Sequence, residues 1–271
     1  MTTAFVPFSA ASGRRCLREE NRWRDVRDIQ IYLTQVYADI PADADRGAFP
    51  LTLPFVEGLD ICFKAPVTFV VGENGSGKST LLEALVDLAN LPVRGGGRNE
   101  LADHGGESEL APFLRSGWAQ RPGHGFFFRA EFEERFASLL DQRKDDPGFI
   151  GDPYGRYGGR SLHQRSHGEA FLQMMKAWMY PGILFMDEPE SALSPQKQLT
   201  LLTYISDMVE DRDTQFIIAT HSPILMTFPG ATILSLDGGR VHEVSLEETQ
   251  HYQITRGILE APERYWRHLK G

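Results

Sequence analysis

Apolar and polar positions follow two rhythms along this chain. "VTFVV" from Val67, "GILFMDE" from Gly182 and "QFIIATHS" from Gln215 are short continuous apolar runs that stop at glycine, acid or histidine. That pattern predicts buried strands of a parallel sheet. "KSTLLEALVDLANL" from Lys78 and "SPQKQLTLLTYISDMVE" from Ser194 carry the helical period instead, as does "RSHGEAFLQMM" from Arg165, whose Phe171, Met174, Met175 and Trp178 share one face. "GFFFRAEFEERFASLL" from Gly125 reads as a strand running into a helix, and "ATILSLDGGRVHEV" from Ala231 as strand before a polar helical tail. Upstream, "DIQIYLTQVYADI" and "GLDICFKAPVTFVVG" read as short β-rich runs. Residues 92–124, polar and rich in glycine, read as loops or a small insertion. The expected fold is α/β, a mostly parallel sheet with an antiparallel β portion, in one domain over 1–271. Within it, 1–60 is the N-terminal β-rich part, 90–165 an insertion and helical subdomain, and 166–271 the part that carries "SHGE", the acidic strand "GILFMDE" and the histidine of "FIIATHS".

Charge and cysteine content narrow the class. A net charge of −9 speaks against a surface given over to nucleic acid, so nucleic acid is a partner the charge does not support. Residues 14–28 hold six arginines against four acids, a mixture expected of solvated surface. Cys16 and Cys62 lack any metal-type spacing and read as packing residues in a reducing compartment. No run reaches the ~18 apolar residues of a membrane helix, and the N-terminus lacks a signal pattern. The expectation is a cytoplasmic protein without direct membrane insertion, reaching a membrane only through a protein partner.

Residues 72–79, "GENGSGKS", match G-x-x-x-x-G-K-[ST] between a predicted strand and helix. Glycines there let backbone N–H groups close around phosphates, so Gly72, Glu73, Asn74, Gly75, Ser76, Gly77, Lys78, Ser79 and Thr80 are the candidate nucleotide-binding residues. Lys78 would reach the β and γ oxygens, and Ser79 would offer its hydroxyl to Mg²⁺.

The strand at "GILFMDEPE" ends in Asp187 and Glu188. Asp187 is placed to hold a magnesium-bound water shell, leaving Glu188 to orient and deprotonate the attacking water. "FIIATHSP" brings His221 to another strand end, where an imidazole could hydrogen-bond the γ-phosphate or that water. Before the helix from Arg165, Ser166 and Glu169 fit a capping box, a serine and glutamate that satisfy each other's backbone N–H groups. The same N–H groups and helix dipole also suit a phosphate.

With these pieces in order, the chain resembles the ABC-class ATPases: phosphate loop at 72–79, signature at 166–169, acidic strand end at 187 and 188, switch histidine at 221. The family's L-S-G-G-Q reads Arg165, Ser166, His167, Gly168, Glu169 here, keeping the serine and second glycine. "SHGE" and "DEPESALSP" look more like the soluble, non-transporter branch, with SMC-like repair ATPases and OLD-type ATPases of phage defence. Residues 60–271 also resemble small bacterial proteins described as AAA or ABC-type ATPases. The resemblance implies ATP with Mg²⁺, and a head-to-tail homodimer in which Ser166, Gly168 and Glu169 of one subunit meet the γ-phosphate on the other. It implies catalysis by Glu188, His221 and Lys78, metal held by Ser79 and Asp187, and ATP hydrolysis coupled to a protein or macromolecular partner in DNA repair or phage defence. The alternative is the ATP-binding subunit of an ABC transporter. The D-loop aspartate is Ser194, the Q-loop position falls on Gln120 or Glu131, and Tyr37 and Phe55 are candidates to stack on adenine.

Overall fold

The structure, a computed structural model, describes residues 31–97, 108–178 and 180–270. The arginine-rich segment 14–28 and Cys16 lie outside the described residues. Seven strands form the central sheet: β3 (Val67–Val71), β4 (Gly96–Gly97), β6 (His124–Phe128), β7 (Gly182–Asp187), β8 (Thr214–Ala219), β9 (Thr232–Ser235) and β10 (His242–Val244). Their order is β10-β9-β3-β8-β7-β6-β4, parallel throughout its centre and antiparallel only at the edge pairs β9–β10 and β4–β6. Strands β1 (Leu33–Ala38), β2 (Asp60–Cys62) and β5 (Leu114–Trp118) form a separate three-stranded antiparallel sheet.

The continuous apolar runs are two-sided strands. On β7, Ile183 and Phe185 join one hydrophobic layer and Leu184 and Met186 the other, and Ile217 against Phe216 and Ile218 does the same on β8. One layer is closed by helix α1 (Lys78–Leu88) and the small sheet. The other is closed by α2 (Ala130–Asp145), α3 (His167–Ala177) and α4 (Pro195–Arg212). Gln215, fully buried on β8, fastens the small sheet to the large one: its Oε1 accepts from Tyr32 and Leu33 N–H at 3.0 and 2.9 Å, and its Nε2 donates to the Leu33 carbonyl at 3.0 Å. The chain closes with α5 (Gln250–Glu260) and α6 (Pro262–Leu269).

Two expectations change. The segment 92–124 contains a strand, β5, paired along β1 from Ala38↔Leu114 to Leu33↔Trp118. Leu114 is its only buried residue, so no alternation betrays it. Cys62 is an exposed free thiol, because the β2 alternation points Ile61 inward and Cys62 out.

Candidate functional site

Five parallel strands end at the same edge of the sheet, and each delivers a polar group there. After β3 the chain turns through 72–77 into α1, whose N-cap Gly77 adopts φ 93° and offers no side chain to the helix's free N–H groups. A Cβ on Gly77 would lie 2.7 Å from the Phe55 ring, so loop and core approach too closely for any other residue. Phe55 is therefore buried beneath the loop as core and offers no face to an adenine, whereas Tyr37 is exposed on the small sheet. The Lys78 side chain is buried and curls over the loop, donating to the carbonyls of Gly72 and Glu73 at 2.9 and 3.0 Å. Burial pulls its ammonium below the usual lysine range. From the end of β9, Asp237 accepts the Glu73 N–H at 3.1 Å and braces the loop. The Ser76 hydroxyl is buried within the loop with no protein partner, the kind of group a phosphate oxygen would satisfy.

Ser79, in the first turn of α1, donates to Asp187 Oδ1 at 3.2 Å. These two hard oxygen donors fit a magnesium site. Burial pushes the Asp187 carboxyl up to about 6, even though Ser79 and the Arg129 guanidinium, 3.4 Å from Oδ2, pull it down. A cation beside Asp187 would relieve that cost. Arg129 follows β6 directly, and since Phe128 pairs with Met186 in parallel, it stands level with Asp187. It also holds Glu83 at 2.7 Å. Gln120 precedes β6 and sits at the opposite edge of the sheet, so it cannot serve this end. Position 131 lies in the first turn of α2.

Glu188 adopts a left-handed backbone, φ 48° and ψ 54°, held by its N–H bond to the Ala219 carbonyl at 2.9 Å. For a non-glycine residue this geometry costs on the order of 1–2 kcal/mol. It turns the carboxylate towards the end of β8, where Glu188 Oε1 lies 3.3 Å from His221 Nε2. His221 is fixed from two further sides. Glu190 accepts its backbone N–H and, at 2.8 Å, the Thr220 hydroxyl. His251 Nε2 on α5 lies 2.7 Å from His221 Nδ1.

The signature segment stands apart from these groups. Ser166 caps α3, and its N–H donates to the Glu169 carboxylate at 3.0 Å, which holds that carboxyl below the usual range. Lys197 on α4 donates to the Ser166 hydroxyl at 2.9 Å. Gly168 is buried, and a Cβ there would lie 2.8 Å from the Ala192 carbonyl, so glycine lets α3 rest on the turn after Glu188. Ser194, in the D-loop position, is the N-cap of α4.

Arg129, Glu190, Asp237, Lys197 and His251 thus join the residues that the motifs indicate. Glu190 was within reach of the sequence, as the third acid of "DEPE", and Arg129 follows an apolar strand but takes its place beside Asp187 only from the strand register. The other three come from distant segments that only folding brings in.

A phosphate loop opening α1, an acidic strand end and a histidine on the next strand define a P-loop nucleoside triphosphatase. The family described as "AAA domain, putative AbiEii toxin, Type IV TA system" matches residues 108–227, and one described as "AAA domain" matches 52–88. The chain is 31% identical to the "Hemin import ATP-binding protein HmuV" of Pseudomonas fluorescens, over 63% of this chain and 72% of that protein. It is 29% identical to the protein of the same name in Pseudomonas aeruginosa, over 71% and 81%. To the "Thiamine import ATP-binding protein ThiQ" of Haemophilus influenzae it is 22% identical, over 71% and 93%. Among solved structures, cbiO1 from Clostridium perfringens, "part of the ABC transporter complex cbiONQ", aligns with a TM-score of 0.49 at 16% identity, covering 89% of this chain and all of that one. The chain belongs to the ABC-type ATP-binding proteins and is an ATPase.

Proposed function

We propose that this ATPase works as a head-to-tail dimer, closing around two ATP molecules and opening when they are hydrolysed. The observation that carries the hydrolytic half of the reading is a pair of contacts at the ends of β7 and β8, the Ser79 hydroxyl to Asp187 at 3.2 Å and Glu188 to His221 at 3.3 Å. They support different roles for the two carboxylates, Asp187 beside a hydroxyl as a metal holder and Glu188 beside an imidazole as the base for water. The loop 72–77 and Thr80 enclose the phosphates with backbone N–H groups, and Lys78 leaves the loop carbonyls for the β and γ oxygens. Ser79 and Asp187 would hold Mg²⁺, whose charge would offset that of the phosphate oxygens. Glu188 takes the proton of the attacking water, and His221 Nε2 orients water and γ-phosphate. Ser166 and Gly168 of the partner subunit complete the site from the other side. Lys197 adds a positive charge beside Ser166, and Glu169 acts indirectly by fixing the Ser166 backbone.

As to what the dimer drives, the curated relatives favour an ATP-binding subunit of a membrane importer over a DNA-repair or phage-defence ATPase. In that reading the chain sits at the cytoplasmic face of a membrane partner. No helix among the described residues is long and apolar enough to cross a membrane. The "DEPE" acid, which pointed to the soluble branch, has an intramolecular task in fastening the His221 loop. The soluble reading keeps the support of the family match over 108–227.

The test is the solution mass of Glu188→Gln with and without ATP and Mg²⁺. Doubling with nucleotide supports the sandwich, and an unchanged mass with ATP still bound sinks it. Membranes from the native host separate the two uses. An importer subunit sediments with them and is released at high pH, whereas a soluble ATPase stays in the supernatant.

A further inference from the structure

The polar groups at the strand ends leave one contact without a task in the proposed cycle, the short bond between two imidazoles. His221 Nδ1 and His251 Nε2 are 2.7 Å apart, with ring centroids at 4.8 Å and planes inclined by 59°. Burial and the Lys78 ammonium hold His221 below the usual histidine range, while burial, His221 and Lys78 do the same to His251. Near neutral pH the pair is therefore two neutral rings sharing one N–H···N bond, and one ring must donate while the other accepts.

The third group in the row decides which. If His221 donated from Nδ1, its Nε2 would turn a lone pair towards the Glu188 carboxylate 3.3 Å away, and the two acceptors would repel. If His251 donates from Nε2 to His221 Nδ1, the His221 proton sits on Nε2 and faces Glu188. Only the second arrangement avoids that repulsion, and it leaves the buried Nε2–H, which has no hydrogen-bond partner among the described residues, for a ligand oxygen. We propose that His251 is a positioning residue that holds His221 in its Nε2–H tautomer, so that the switch histidine presents a donor to Glu188 and to the γ-phosphate.

The anchoring of His251 fits that task. It lies in the first turn of α5, where the Thr249 side chain caps the helix by accepting the Tyr252 N–H at 3.3 Å, and the Thr249 hydroxyl donates to the Leu246 carbonyl at 2.7 Å. Gln253 Nε2 adds a bond to the Glu247 carbonyl at 2.9 Å. A capped turn thus presents His251 Nε2 to the active end of the sheet, and α5 becomes part of the site.

The inference rests on the proposed catalytic role of Glu188 and His221, and its test separates the two. ¹⁵N-histidine-labelled protein without nucleotide is compared as wild type, His251→Leu and His251→Gln, with the His221 signals assigned through His221→Ala. Wild type is expected to show the Nε2–H pattern at His221, His251→Leu a mixture of tautomers, and His251→Gln, whose amide N–H can replace the lost donor, the wild-type pattern. With ATP and Mg²⁺, His251→Leu should lower kcat roughly tenfold with KM unchanged, and His251→Gln should restore most of it. An Nδ1–H tautomer in wild type, or a tautomer indifferent to His251→Leu, overturns the proposal. So does a loss of kcat that is equal in the two variants. If instead Glu188→Gln hydrolyses ATP normally, the catalytic reading fails while the tautomer measurement still judges His251.

Discussion

The phosphate-loop end and the signature end of this chain are built on opposite principles. At the first, groups from five strands converge within hydrogen-bonding range. Burial there works against the charge on Lys78, Asp187, Glu190 and His221, an unfavourable arrangement that a charged ligand and its metal would relieve. At the second, Ser166 and Glu169 are exposed, Lys197 is half-buried, and all three are already paired. The first end is strained towards a ligand, and the second is an ordinary capped helix whose free N–H groups gain a purpose only when another subunit brings an anion. The difference teaches that the two motifs are tested by different experiments, one on the chain alone and one on its assembly.

The widest separation between the ends comes from Glu188→Gln. Loss of the base should lower kcat by about 10²–10³ while ATP binding persists. Single-turnover hydrolysis beside equilibrium binding checks both halves, and a kcat within threefold of wild type would remove Glu188 from the chemistry. Next is Ser166→Arg, which should leave ATP binding to the separate chain intact but abolish nucleotide-dependent dimerisation, lowering turnover on the order of 10². Full activity with an unchanged dimer would reduce the signature end to its cap. Smaller again is Glu190→Gln. The amide retains one acceptor where the carboxylate had two, loosening Thr220 and the His221 loop, and kcat should fall roughly tenfold with KM for ATP steady.

The two ends were also unequally legible. Strand runs such as "FIIATHS" and the phosphate loop are local patterns, because burial on both faces and a tight glycine turn each leave a mark in adjacent residues. The position of Arg129 beside Asp187 depends on the β6–β7 register, and that of His251 beside His221 on where a distant helix returns. Neither leaves a mark in composition. β5 stayed hidden for a related reason, since its pairing with β1 is by backbone and only Leu114 needed to be apolar. Cys62 shows the converse, an apolar residue type on the outward face of a strand. At the signature end the capping box was readable because both of its members lie within one helical turn. Lys197 was not, because it approaches from α4.

The smallest expected effect lies between the ends. Glu133, in the first turn of α2, is 7% exposed and lines a cavity of about 790 Å³ together with Leu162, Arg165, His167 and Ala192. Burial pushes its carboxyl up to about 7 from the usual 4.5. A folded-state pKa above the unfolded one means that the folded chain holds the proton more tightly, so the contribution of Glu133 to stability is largest below pH ~4.5 and is lost as pH rises through 7. Glu133→Gln keeps the shape of the protonated carboxyl and cannot ionise. It should match wild type at pH 4 and exceed it by about 1–2 kcal/mol at pH 8, the full shift being discounted for partial access of water. Thermal or urea unfolding at the two pH values gives the comparison, with an expected rise in Tm of about 3 °C at pH 8. Parallel pH profiles for the two proteins would show that Glu133 finds water or a cation in the folded state, and the junction between the two ends would then be as relaxed as the signature end itself.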